Sequence, residues 1–392
     1  FIYRAEEAEP HLRGSESRLW FAQLEQEHEN LRAALTFLLE RAHSGPVGMG
    51  ADGSRATTHW AEQALRLCGA LYWFWNIHGY YREGLGFLER ALAVREGVSA
   101  FVRLKVLYAA TEVAFTLDDY ERAEVLGQES LALSQGLGDK AIKATALFQL
   151  GIIAWASCRF AQARSQLEES LILFQELGDT WNQARALAYL TKVFVSQGDY
   201  EQARTVGEQN LTLSRALGNK GRIAIALCEL ARARFFASDD FAQIQALAEQ
   251  SLALFRELGD AQYIAYLLSM LGDMLLMQNE QAPVRAWLEE SVATFKELGD
   301  RWSTSEALLS FARIAIYDGK LGVARVRFHE SLTLAREIGA KDLIAASLEG
   351  VGTVVAAQGE LAWAARLWGT AQVLRVSIGA PVPPIFRVGF EQ

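Results

Sequence analysis

The chain writes one line of sequence over and over at a fixed step, and that step limits its possible folds more than any single motif does. The line reads ESLALSQGLGD at 129–139, ESLILFQELGD at 169–179, QNLTLSRALGN at 209–219, QSLALFRELGD at 250–260, ESVATFKELGD at 290–300 and ESLTLAREIGA at 330–340, with weaker copies at 89–99 and 370–380. Its glycines, Gly138, Gly178, Gly218, Gly259, Gly299, Gly339 and Gly379, follow one another by 40 or 41 residues. Self-similarity at such a period signals stacked supersecondary units that bury their apolar faces on one another. With 392 residues the chain exceeds the roughly 250–300 that one core accommodates, leaving separate domains or an array, and the period selects the array.

Each period holds two helices. Ala163, Leu167, Ser170, Phe174 and Leu177 fall on one face of a helix, and strand alternation is absent. A landmark about 19 residues before each glycine, at Tyr120, Phe160, Tyr200, Phe241, Leu321 and Leu361, marks the turn between the helices, and Tyr81 fits the same place. Three positions on stand Gly84, Ala123, Ala163, Ala203, Ala324 and Ala364, small enough for two helices to approach closely. The periodic glycine is placed to end a helix in the left-handed conformation, and the Asp or Asn after it to cap the next. That reading of Asp139, Asp179, Asn219, Asp260 and Asp300 outweighs metal binding. Helix punctuation also explains 31 glycines beside only six prolines.

Leu-Gly pairs at Leu150-Gly151 and Leu271-Gly272, the aromatic turn residue and the alanine after it together resemble the tetratricopeptide repeat, in an extended variant. The implied fold is all-α, a right-handed superhelical solenoid of antiparallel helix pairs. We expect eight pairs over 59–380, an N-terminal helical cap or connector over 1–42 with one long amphipathic helix from Gly14, a flexible Gly- and Ser-rich loop over 43–58, and a tail over 381–392 that PVPP at 381–384 frees from the last helix.

Two segments carry a narrower resemblance. LEQEHENLRAALTFLLER, with ALRLCGALYWFWNIHGYYREGLGFLERALA after it, resembles the region that follows the nucleotide-binding and winged-helix modules of bacterial STAND-type regulators, the signal-transduction ATPases with numerous domains. AARLWGTAQVLRVSIGAPVPPIFR resembles the end of their repeat arrays, often followed there by a LuxR-type DNA-binding module. Glu29 departs from the Asp expected at its position. The chain has no GxxxxGK[ST], so no ATPase residue is carried over. The resemblance implies a non-catalytic sensor or scaffold arm in transcriptional regulation, with an upstream nucleotide-binding domain of the same polypeptide as one partner; with neither a spanning run nor a basic-then-apolar signal at its start, the expected location is cytoplasmic. A free-standing adaptor or peptide-pheromone receptor is the alternative.

Other classes find little support. A net charge of -9 without a basic block argues against direct nucleic-acid binding, and no apolar run is long enough to span a membrane. Cys68, Cys158 and Cys228 are far apart and read as buried and reduced. His11, His28, His43, His59, His78 and His329 form no metal-ligand pair and read as surface residues. Glu168-Glu169 and Glu289-Glu290 recur with the repeat as solvated faces. With no catalytic constellation, we expect no enzyme activity, cofactor or metal.

In tetratricopeptide arrays the first helix of each pair lines the concave surface. The position two after the Leu of the Leu-Gly pair gives Trp73, Glu112, Ile152, Lys192, Arg232, Asp273, Arg313 and Thr353. Three further on lie Asn76, Phe115, Trp155, Val195, Phe235, Leu276, Ile316 and Ala356, while Arg185 and Tyr266 join from earlier on their helices. Trp155, Lys192, Arg232 and Phe235 would form a locally basic groove for an anionic ligand, a peptide or a partner helix. In the competing reading the aromatics pack internally and the charges are solvated. The dense cluster Tyr72, Trp73, Phe74 and Trp75 is either core beneath Trp20 and Leu31 or a docking face for an upstream domain.

Overall fold

A computed structural model describes residues 1–12, 17–43, 51–94, 97–238, 240–277 and 284–387, and every regular element among them is helical. The chain divides into two compact units, Phe1–Ile153 and Ala154–Gln392. In the first, α1 (Ile2–Ala8), α2 (Ser17–Gln26) and α3 (His28–His43) precede α4 (Ala51–His78) with α5 (Tyr81–Leu92), then α6 (Ala100–Thr116) with α7 (Tyr120–Leu137). Next comes α8 (Lys140–Ala156), and the second unit continues with α9 (Phe160–Glu176), α10 (Thr180–Gln197), α11 (Tyr200–Ala216), α12 (Lys220–Ala237) and α13 (Phe241–Leu258). It ends with α14 (Ala261–Met277), α15 (Val284–Leu298), α16 (Arg301–Tyr317), α17 (Leu321–Glu337), α18 (Lys341–Ala357), α19 (Leu361–Ile378) and the short α20 (Pro384–Arg387).

The periodic punctuation acts as the sequence implies. All seven repeat glycines have φ between 64° and 70°. Asp139 accepts from the amides of Ala141 and Ile142, and Asp179, Asn219, Asp260 and Asp300 each accept from the amide three residues on. Each such cap is worth about 1 kcal/mol over alanine. A second left-handed residue recurs at the turn inside the pairs, where Asp118, Cys158 and Ser238 stand at φ 57–60° in the place that Gly198, Gly319 and Gly359 take elsewhere. The small residues after the turn are fully buried, Ala123, Ala163, Ala203, Ala324 and Ala364 all at 0% exposure. The serine of the repeated line ties one helix to the one before it: Ser251 donates to the Ala224 carbonyl, Ser291 to that of Ala265 and Ser331 to that of Ser305.

Several expectations change. The long N-terminal helix is two, because the register breaks at Glu27 between α2 and α3. Residues 51–58 are the start of α4 and not loop, since the helix nucleated by the buried face from Ala61 onwards propagates back through them; 44–50 of that loop lie outside the described residues, as does the tail beyond 387. Leu177 is exposed, because its helix ends there and its side chain passes off the buried face. His28 belongs to the first unit's aromatic core and not the surface, stacking on Tyr80 at 4.5 Å and bonding Glu83 at 2.8 Å, whereas His78 is exposed, as expected, with its ring edge-on to Phe21. The cluster at 72–75 is core, with Phe74 and Trp75 buried against Leu31 and Trp20 packed on the same cluster.

Candidate ligand-binding site

The second unit encloses a cavity of about 320 Å³. Most of its wall comes from the first helix of each pair, whose residues at offsets of three, four and seven share a face. Arg232 and Phe235 come from α12, Tyr266 and Asp273 from α14, Arg313 from α16, and Trp155 from the end of α8. Val195, Ile316 and Thr353 from the expected rows also line it. Three expected residues of this unit stand outside, Ala356 among them. Lys192 lies over the Trp155 and Tyr189 rings at 5.4 and 5.3 Å, and Arg185 donates to Asn182. The side chain of Leu276 falls outside what the structure describes.

In the first unit the same positions are used for packing. Trp73 leans on Tyr72 at 5.1 Å, Phe115 on Tyr120 at 5.5 Å, and Ile152 is buried. Glu112 accepts from Gln149 Nε2 at 2.8 Å.

The charges are neither solvated nor predominantly basic, which corrects both readings of the groove. Glu229, unexpected and almost fully buried on α12, pairs with Lys192 at 3.2 Å and Arg232 at 3.1 Å. Burial is the largest single influence and works against the Lys192 ammonium, but Glu229, Tyr263 and Tyr189 together outweigh it and hold its pKa above the ordinary range. The same opposition raises Arg232, so both stay charged. Three arginines, Arg232, Arg313 and Arg375, face four carboxylates in the wall, Asp273, Glu306, Asp342 and Glu349. Some are satisfied internally. Arg375 forks onto Glu349, and Asp273 Oδ2 accepts from Ser310 at 2.7 Å and Arg313 at 3.3 Å.

Others are not. Arg232 is 5% exposed, yet its Nε and Nη2 donate no hydrogen bond, the Glu229 contact being close but poorly aligned. Asp273 Oδ1 likewise has no partner. A buried polar atom left so costs about 1–3 kcal/mol, which is a reason to look for a ligand that satisfies it. Glu306 is acted on by Arg232 and Arg313 through space without a hydrogen bond; burial, then Asp342 and Asp273, push its carboxyl up to about 7. Burial also raises Asp342, which accepts from the Leu343 amide and the Cys158 thiol. Trp155 and Trp302 close one side with ring centroids 5.8 Å apart.

The sequence reading missed Trp302, Glu306, Asp342, Glu349 and the tail. The first four had a signal. Counting back from Arg313 by 4, 7 and 11 gives Leu309, Glu306 and Trp302, and from Thr353 gives Glu349, Ala346 and Asp342, all in the wall. The expected rows followed only part of this stripe.

Among the described residues no His, Cys, Asp and Glu group is placed to hold a metal ion, and no helix is long and apolar enough to cross a membrane. All three cysteines are buried and unpaired to one another.

Residues 104–176 and 143–216 match the tetratricopeptide repeat family. No curated protein matches the chain. Among solved structures, a Rap protein complexed with Competence and Sporulation Factor overlays with a TM-score of 0.65 at 12% identity, over 89% of this chain and 98% of that one. NprR in complex with its cognate peptide NprX overlays at 0.59 and 11% identity, over 88% and 99%. A Pyrococcus horikoshii STAND protein with a tetratricopeptide repeat sensor reaches only 0.41 at 13% identity, over 100% of this chain and 51% of that one. At these identities the likeness is one of fold.

Proposed function

We propose that the chain is the sensor arm of a cytoplasmic bacterial STAND-type transcriptional regulator, and that the cavity of its second unit takes a short peptide. The observation that carries the binding step is Arg232, a guanidinium in the wall of an aromatic-lined cavity that is buried with two of its donor atoms making no hydrogen bond. A carboxylate accepts such a fork with two charge-assisted hydrogen bonds. Glu306 offers the opposite charge in the same wall, so a peptide with both an ammonium and a carboxylate suits the cavity better than a simple anion. Binding would act on a nucleotide-binding domain upstream in the same polypeptide, with a LuxR-type module as output. The sequence segments that resemble those regulators support this part of the reading.

A free-standing adaptor or peptide-pheromone receptor is the second reading. Its support is the fold likeness to NprR, whose structure holds a peptide. Both readings share the cavity, and an upstream Walker A motif in the open reading frame would separate them.

Equilibrium dialysis against a pool of hexapeptides with free termini, read by mass spectrometry, tests the shared part. Peptides should be retained by the parent chain and lost with Arg232→Met or Glu306→Gln. Retention of the same peptides by both variants would place binding elsewhere.

A further inference from the structure

Part of the cavity's wall is the chain's own tail, packed on the inner face of the second unit. Gly379 ends α19, the Ala380 amide closes back on the Arg375 carbonyl, and Pro381, Val382, Pro383 and Phe386 then line the cavity. Phe386 stands edge-on to Phe235 at 6.2 Å and Phe236 at 5.9 Å, and the Arg313 guanidinium lies 4.0 Å from its ring centroid. Ile385 packs on the same apolar cluster. Pro381 sits against Gly198 so closely that a Cβ there would meet its Cγ at 2.5 Å.

The chemistry of this segment is that of a ligand more than of a structural plug. Its prolines carry no backbone donor, so they can lie in a groove without amide partners, and they stiffen the segment before it binds. The one turn it makes closes with the Phe386 amide on the Pro383 carbonyl. An aromatic ring under a guanidinium and between two phenylalanines is a compact anchor of the kind that dominates peptide recognition. Yet about 320 Å³ stays open beside the segment, so it fills only part of the space on this face.

We infer that residues 381–386 are a tethered occupant of the cavity, and that the peptide which displaces them presents an aromatic side chain beside proline to Phe235, Phe236 and Arg313. This rests on the peptide-binding reading for the identity of the competitor, but not for the docking of the tail. Because the segment is joined directly to α19, its effective concentration at the cavity is high, on the order of millimolar, so even a weak tail contact raises the concentration of free peptide needed.

The test uses the full chain carrying 4-fluorophenylalanine at position 386, followed by 19F NMR, and the free octapeptide APVPPIFR. The ring resonance should differ from that of the octapeptide. Gly198→Ala should move it to the free position, whereas Gly319→Ala should not. Both glycines have positive φ, 76° and 70°, so the backbone strain is shared, but only Gly198 has Pro381 against it. In the Phe386→Ala chain, fluorescein-labelled octapeptide added in trans should bind at least tenfold more tightly than to the parent. A parent resonance at the free position, or equal affinity for the parent and Phe386→Ala chains, overturns the inference. Neither result touches the Arg232 dialysis experiment, so the two readings fail separately.

Discussion

Counted through the repeats, Trp73, Glu112 and Ile152 stand at the same helical position as Arg232, Asp273 and Arg313, yet the two sets meet different neighbours. In residues 1–153 the position is spent on packing: an indole on a phenol, a carboxylate on a glutamine amide, an isoleucine in the core. In residues 154–387 it holds charges around a cavity, some with polar atoms left unpaired. One repeat scaffold thus carries two different uses of its inner face. The glycines and caps that build the helices are common to both, and the side chains that the face presents set the difference.

The sharpest way to break the comparison is to overfill the second unit's wall. A Cβ at Gly350 would meet the buried Phe328 ring at 2.1 Å, so Gly350→Ala should lower stability by about 3 kcal/mol. Gly86 in α5 has nothing within 4 Å, and Gly86→Ala should raise stability by about 0.5–1 kcal/mol through helix propensity. Urea unfolding followed by circular dichroism reads both, and similar losses would show that the two glycines are not distinguished by their surroundings.

A smaller effect comes from charge. Folding lifts Glu306 from the usual 4.5 to about 7, so the folded chain takes up a proton between those values. Stability from this group is therefore greatest below about 4.5, falls as pH rises, and reaches its full deficit above about 7. Arg232 and Arg313 oppose that deficit while Asp342 and Asp273 add to it. Glu306→Gln should flatten the pH profile and stabilise the chain by about 2 kcal/mol at pH 8, allowing for the partial exposure of the carboxyl. An unchanged difference between pH 5 and pH 8 would contradict the burial argument.

The smallest effect separates two strained turn residues. Ser238→Gly should stabilise by about 1 kcal/mol by relieving a left-handed serine. Asp118→Gly should gain close to nothing, because the Asp118 carboxylate accepts from the Tyr120 hydroxyl at 3.0 Å and that bond would be lost. Thermal midpoints of the two variants measured side by side check this pair.

Much of the fold was legible because the repeat reports it many times. A glycine followed by Asp or Asn, seen through successive periods, is a helix stop and start, and Asp179 and Asp300 perform it through the amides of Asn182 and Ser303. Where the period gives out, so does the reading. The break at Glu27 has no second copy, and glycine density between 45 and 53 concealed that α4 begins at Ala51. At the site, helical spacing located the face, which is why Arg232, Asp273, Arg313, Tyr266 and Phe235 converge. It could not show neutralisation. Glu229 reaches Lys192 across from α12 to α10, a contact set by packing between helices. The tail was least legible of all, since Phe386 meets Phe235 and Arg313 without any period linking them.

The central claim is that the second unit's inner face binds and the first unit's packs. Isothermal titration of one hexapeptide retained by the parent chain, against Arg232→Met and Glu306→Gln in one arm and Trp73→Phe and Glu112→Gln in the other, tests it most directly. The account predicts at least a tenfold loss of affinity in the first arm and less than a twofold change in the second. Loss confined to the Trp73 and Glu112 variants would contradict it.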